Sequence, residues 1–256
     1  ARMCGAKIEA PCVNNSTYLT NIYGTTIYIG LIHLANLEQK LAHAIVEERQ
    51  IHGDYRSLKD FTHRINISKE QLEFLIRISA FRWTGLNKYE LMWEKNAVHN
   101  PLIKHVYAGE MLFDTEPENY TLPILAETEH EQAFDEIELL GFPLCNPFDL
   151  LQTKFRGDIK ATQMKDYLGQ TVRMVGYYVC RKWVTTSKGD LMNFGTMTDV
   201  DGHFFDTVHF PPSLKVYPFH GKGCYIVLGK VVDDFGFASL EVSKMEKLPW
   251  VKDGRY

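Results

Sequence analysis

The spacing of apolar residues changes period along this chain. Leu34, Leu37, Leu41, Ala44 and Ile45 recur at helical intervals from Leu31 onward, and the run ends in Glu47–Arg49 with Gly53 just beyond. Ser57 stands where an N-cap belongs for a helix over 58–64. Ser68 caps the next helix with Gln71 three residues on, a capping-box arrangement, and that helix aligns Leu72, Leu75, Ile76 and Ser79 on one face. Residues 81–85 read as a turn, and Asn87 caps a helix over 88–95. Before these helices, Pro11, Asn14, Asn15, Ser16 and Asn21 are turn formers, and residues 25–30 make a short β-like run. Periodicity weakens over 97–135, which holds Pro117 and Pro123, and a short amphipathic helix over 134–140 ends at Gly141. From Gly169 the pattern becomes β-rich: 171–181, 191–197, 203–210, 223–232 and 236–245, each bounded by Gly, Asp or Pro.

Five such strands, with a polar loop over 182–189 after the first, predict an OB barrel. That fold binds single-stranded nucleic acid or oligosaccharide across strands 2 and 3 and the loop after strand 1. The expected fold class is α+β and multidomain. A small helical, helix-hairpin-helix-like region (1–96) is followed by an acidic linker with short helices (97–168) and a five-stranded all-β OB-fold domain (169–256).

Charge sharpens this division. Residues 1–168 carry 17 Lys+Arg against 23 Asp+Glu, and residues 169–256 carry 11 against 9. Between His105 and Thr153 there is no Lys or Arg, while acids run from Glu110 to Glu138, so this stretch repels a nucleic-acid backbone. The five cysteines are scattered without a CxxC pair, which implies neither a zinc site nor a disulfide framework and suits a reducing cytoplasm. There is no apolar run of membrane-spanning or signal-peptide length. The chain does not begin with Met and is expected to be part of a longer protein.

The ordered segments Gly30–Leu34, Ala44–Arg49, Ser57–Phe61, Leu72–Phe81 and Glu138–Leu144, with a barrel last, resemble the C-terminal region of the alpha subunit of bacterial DNA polymerase III. Residues Pro11–Ser16 are similar to that family's Pro-x-Val-Asn-x-Ser element. Val208–Pro211 resembles its Val-x-Phe-Pro signature, and Thr185–Phe194 its Thr-x-Lys-Gly-x-x-Met-x-Phe run. The resemblance implies a replication protein that binds DNA, the sliding clamp and other replisome subunits, with the catalytic carboxylates lying upstream. This chain is expected to hold no catalytic residues, metal or cofactor of its own. The parent protein would be a DNA-directed DNA polymerase. Where the family's hairpin turn reads Gly-hydrophobic-Gly, this chain has Asn36, Leu37 and Glu38. Asn tolerates the left-handed backbone, but Glu38 would meet a phosphate with like charge, so the hairpin can keep its shape and lose its DNA contact.

Candidate contacts follow. Arg181, Lys182, Trp183 and Lys188 offer cations around an indole, the combination single strands need for phosphate neutralisation and base stacking. The alternative is a Trp183 packed beneath the barrel end. Phe194, Phe205 and His209 on strands 2 and 3, and Arg173 on strand 1, extend the set, with core packing or a solvated outer face as the alternative. His203 and His209 lack a third ligand, so no metal is expected. Arg77, Arg82, Lys88 and Lys95 are candidates for duplex phosphates, or else solvated helix faces. Gly109, Glu110, Met111, Leu112 and Phe113 resemble the family's clamp-docking peptide, usually Gln-x-x-Leu-Phe, with two apolar plugs retained. A replisome scaffold that binds no DNA is the rival reading.

Overall fold

The computed structural model describes residues 4–98, 128, 130–234 and 236–255, so the clamp-like peptide at 109–113 lies outside the described residues. The chain divides into two compact units, Ala1–Leu144 with Asp253–Tyr256, and Cys145–Lys252.

The first unit begins with a small sheet in which β3 (Thr26–Tyr28) lies between β1 (Lys7–Glu9, parallel) and β2 (Asn21–Tyr23, antiparallel). Helices α1 (Gln39–His52), α2 (Leu58–Arg64), α3 (Lys69–Arg77), α4 (Lys88–Val98) and α5 (Glu131–Leu140) complete it. The anticipated caps form. Ser57 Oγ accepts from the Asp60 amide at 3.0 Å, Ser68 Oγ from the Gln71 amide at 3.3 Å, and Asn87 Oδ1 from the Glu90 amide at 2.9 Å. The helical run expected from Leu31 is broken. Leu31–His33 is a 3-10 turn, Asn36 takes a left-handed φ of 64°, and α1 starts at Gln39. The core is dense in Leu and Ile, with Phe61 packed edge-on between Tyr55 (4.9 Å) and Phe81 (5.0 Å).

The acidic segment after α4 differs from the expected linker wherever it is described. Helix α5 belongs to the helical core through Leu139 and Leu140, and its Glu131, Asp135 and Glu138 are ion-paired. Asp135 accepts from Lys88 Nζ (2.8 Å), Arg77 Nε (2.7 Å) and Arg255 (2.5 Å), and Lys88 also pairs with Glu131. These contacts join residues more than forty apart in sequence, which is why charge composition alone reads as unfolded.

The second unit is a closed barrel of β4 (Thr171–Thr185), β5 (Leu191–Thr198), β6 (Phe204–His209), β7 (Cys224–Asp234) and β8 (Phe237–Lys247), in the order β4-β5-β6-β8-β7, with β6 parallel to β8. A short helix, α6 (Pro211–Val216), follows β6. This is the OB fold. Strand β4 serves both halves, pairing with β7 over Thr171–Tyr177 and with β5 over Tyr177–Thr185, with a bulge between Tyr178 and Cys180 where it changes partner. Gly176 is required there, since a Cβ would sit 2.6 Å from the Phe205 ring and 2.8 Å from Met197 Cβ. Residues 145–168, expected in the linker, belong to this unit. Phe148 and Leu151 are buried with Val175 and Cys224, and Met164 joins the barrel core.

Candidate nucleic-acid interface

The hairpin of β4 and β5 carries most of the anticipated contacts, but on the strand rather than in a loop. Strand β4 runs on to Thr185, so Arg181, Lys182 and Trp183 are paired residues, opposite Gly195, Phe194 and Asn193. The loop shrinks to Thr186–Asp190, where the Gly189 amide donates to the Thr186 carbonyl at 2.9 Å with Gly189 at φ 84°, a Gly-closed hairpin turn. Lys188 is exposed at its tip.

Strand alternation then sorts the residues onto two faces. On the outer face, Lys182, Phe194 and Val208 form one cross-strand row and Cys180, Thr196 and Asp206 the next, with Thr196 donating to Asp206 at 2.8 Å. Phe194 is 38% exposed, and Phe204, at the far end of β6, is 60% exposed. On the inner face, Trp183, Asn193 and His209 form a row beside Arg181, Gly195 and Thr207. Trp183 is 50% exposed, so the indole is not packed beneath the barrel end. The Arg181 guanidinium lies 4.9 Å from its ring and 5.4 Å from that of Phe219, a cation held between two aromatic planes.

Several candidates are displaced from any surface role. Phe205 is buried in the barrel core. Phe204, its neighbour, faces out instead; two adjacent aromatics on a strand must point opposite ways, and composition does not say which. His209 is fully buried, its ring tilted 56° against that of Phe219 at 4.7 Å, and burial pushes its pKa down to about 4. Arg173 is exposed but engaged, with Nη2 donating to Asp158 Oδ1 at 2.8 Å and the guanidinium 4.8 Å from the Phe155 ring.

The duplex candidates in the helical unit are likewise occupied. Arg77 pairs with Asp135 and Glu138, and Lys88, 7% exposed, lies between Glu131 and Asp135. Arg82 donates to the Ala10 and Pro11 carbonyls and pairs with Glu9, and Lys95 is buried against Glu73. Each basic side chain that looked like a phosphate contact holds this unit together. At the hairpin, Asn36 keeps the left-handed turn, while the Ala35 amide donates to the Leu139 carbonyl at 2.7 Å and the Glu38 amide to Gln71 at 3.4 Å. Both amides are thus already bonded within the protein.

In the β5–β6 turn, Asp199, Asp201 and His203 come within 4.8 Å of one another. Asp199 is spent on backbone amides of Ala161, Asp201 and His203, and Asp201 pairs with Lys160 at 2.6 Å, which accounts for the cluster structurally.

Residues 5–91 match the helix-hairpin-helix motif family. Over 234 residues, 87% of this chain, the sequence is 28% identical to a DNA polymerase III subunit alpha of Staphylococcus epidermidis. Over most of its length the chain is thus similar to DNA polymerase III alpha subunits. An error-prone DNA polymerase of Mycobacterium bovis is 33% identical over 99 residues, 38% of this chain. This chain covers 21% of the length of the Staphylococcus protein and 9% of the Mycobacterium one. Among solved structures, a lipoprotein of Klebsiella pneumoniae aligns over 35% of this chain and 78% of its own, at 17% identity and a TM-score of 0.27. Among the described residues, no helix is long and apolar enough to cross a membrane.

Proposed function

We propose that this chain is a non-catalytic DNA- and partner-binding region of a replicative DNA polymerase alpha subunit, working in the cytoplasm. Its barrel holds the single-stranded template, and the peptide at 109–113 docks on the sliding clamp. The observation that carries the reading is the half-exposed Trp183 with Arg181 stacked on it, on a hairpin that also presents Lys182, Lys188 and Phe194. A flat aromatic surface beside free cations is sequence-tolerant and suits unpaired bases and their phosphates. The ion-paired cations of the helical unit support the barrel, rather than the helices, as the site.

A scaffold reading has its own support: Val216 and Phe237 are exposed apolar side chains on the barrel, suited to a protein partner. Oligonucleotide binding separates the two. Trp183→Ala lowers single-strand affinity by ~1–3 kcal/mol with the melting temperature unchanged, because the ring is not core. Lys182→Ala or Lys188→Ala flattens the salt dependence by about one unit of slope each. Early melting of Trp183→Ala, with normal binding by the folded fraction, refutes the stacking role. No oligonucleotide binding at any salt concentration leaves the scaffold.

A further inference from the structure

Asn193 is the middle member of the inner row, opposite Trp183 on β4 and His209 on β6. It is fully buried, and neither its amide nitrogen nor its oxygen has a hydrogen-bond partner; His209 Nδ1 is unpartnered as well. The other side of the imidazole is accounted for. His209 Nε2 lies 2.9 Å from Thr207 Oγ1, and the Thr207 hydroxyl donates to the Gly195 carbonyl at 2.9 Å. That hydroxyl has a single hydrogen, so Nε2–H is the donor and Nδ1 keeps a bare lone pair. Burial holds the ring neutral. Unpaired buried amides are destabilising and uncommon in native cores. These sit beside a run of ring and cation contacts in which Trp183 touches Arg181, Arg181 touches Phe219, and Phe219 touches His209. The outer end of that run, Trp183, is half-exposed to solvent.

We propose that Asn193 and His209 form a hydrogen-bonding subsite for the edge of one nucleobase, reached when the Trp183 ring swings aside on the β4–β5 hairpin. The proposal rests on the single-strand reading above and adds base preference to it. The free groups are one amino donor, Asn193 Nδ2, and two acceptors, Asn193 Oδ1 and His209 Nδ1. Their complement is an edge with two donor groups and one acceptor. Guanine offers that set through N1–H, the N2 amino group and O6, whereas adenine, cytosine and thymine each offer a single donor group on the same edge. Guanine is therefore the favoured occupant, with Arg181 and Trp183 as its flanking planes.

The test is a titration of the full 256-residue chain against an all-thymine strand and strands alternating thymine with guanine, adenine or cytosine. The thymine–guanine strand binds about tenfold tighter than the others. Asn193→Leu, close in volume, removes that preference, keeps the all-thymine affinity and does not lower the melting temperature. Replacing guanine by hypoxanthine, which lacks the N2 amino donor, lowers the affinity of the unaltered protein and so decides the question even if the variant does not fold. Equal affinity for all four strands overturns the subsite and leaves single-strand binding standing. A guanine preference that survives both Asn193→Leu and hypoxanthine also overturns it, the amide then holding only a trapped water. No binding to any strand overturns both proposals.

Discussion

Replacing Lys88 by Met tests whether the acidic segment is held by buried ion pairs. Lys88 is 7% exposed and Glu131 3%, so removing the ammonium leaves a carboxylate uncompensated in the interior. Breaking a buried pair in this way costs about 3–5 kcal/mol. The lower figure applies here because both acids keep other partners. Asp135 retains Arg77 at 2.7 Å and Arg255 at 2.5 Å, and Glu131 retains Tyr89 Oη at 2.9 Å and the Thr128 amide at 3.2 Å. The acid titration gives an independent figure. Burial alone raises the Glu131 pKa, but hydrogen bonds from Lys88, the Thr128 amide and Tyr89 outweigh it and bring the pKa from 4.5 to about 2. Such a depression corresponds to ~3 kcal/mol at neutral pH, shared among these three bonds, so it bounds the Lys88 share from above. Because the folded value lies below the unfolded one, this stabilisation is complete above pH 4.5 and is lost as pH falls toward 2. The expected result for Lys88→Met at pH 7 is a loss of ~3 kcal/mol in the helical unit, a melting temperature lower by about 6–12 °C, and acid unfolding that begins at higher pH. Denaturant titration with hydrogen exchange read on α4 and α5 measures it. A loss below ~1 kcal/mol, the worth of an exposed pair, with an unchanged acid profile would refute the buried-pair argument.

Other outcomes follow from the same structure. Phe205→Ala empties a core position against Gly176 and Met197, so it costs ~3–5 kcal/mol in denaturant unfolding while the folded fraction binds single strands normally. Changing Leu112 and Phe113 to Ala weakens sliding-clamp binding in a titration and leaves oligonucleotide affinity intact; unchanged clamp affinity rules that peptide out. The purified chain does not extend a primed template with magnesium and nucleotides, and template-dependent incorporation by a clean sample would contradict the non-catalytic reading.

Local chemistry was legible in the amino-acid order. Ser57, Ser68 and Asn87 cap the helices they precede, Gly53 and Gly141 close helices with positive φ, and the five β-rich runs are the five barrel strands. Each depends on residues within a few positions of one another, so the sequence carries it directly. The left-handed Asn36 was legible for the same reason. What the tertiary structure alone decided is which polar and aromatic side chains are free. Arg77 and Lys88 look like phosphate contacts until Asp135 and Glu138 of α5 come back across a long stretch of chain to pair with them. Phe204 and Phe205 differ only in which way the strand turns them, and that is set by Gly176 on another strand, which makes room for the Phe205 ring. Strand alternation likewise puts Trp183 and Lys182 on opposite sides of the hairpin, and the bulge after Tyr178 shifts which of the two faces inward. Propensity is a property of neighbours in the chain. Exposure and ion pairing are properties of neighbours in space, and those exist only once the barrel has closed and the helical core has formed.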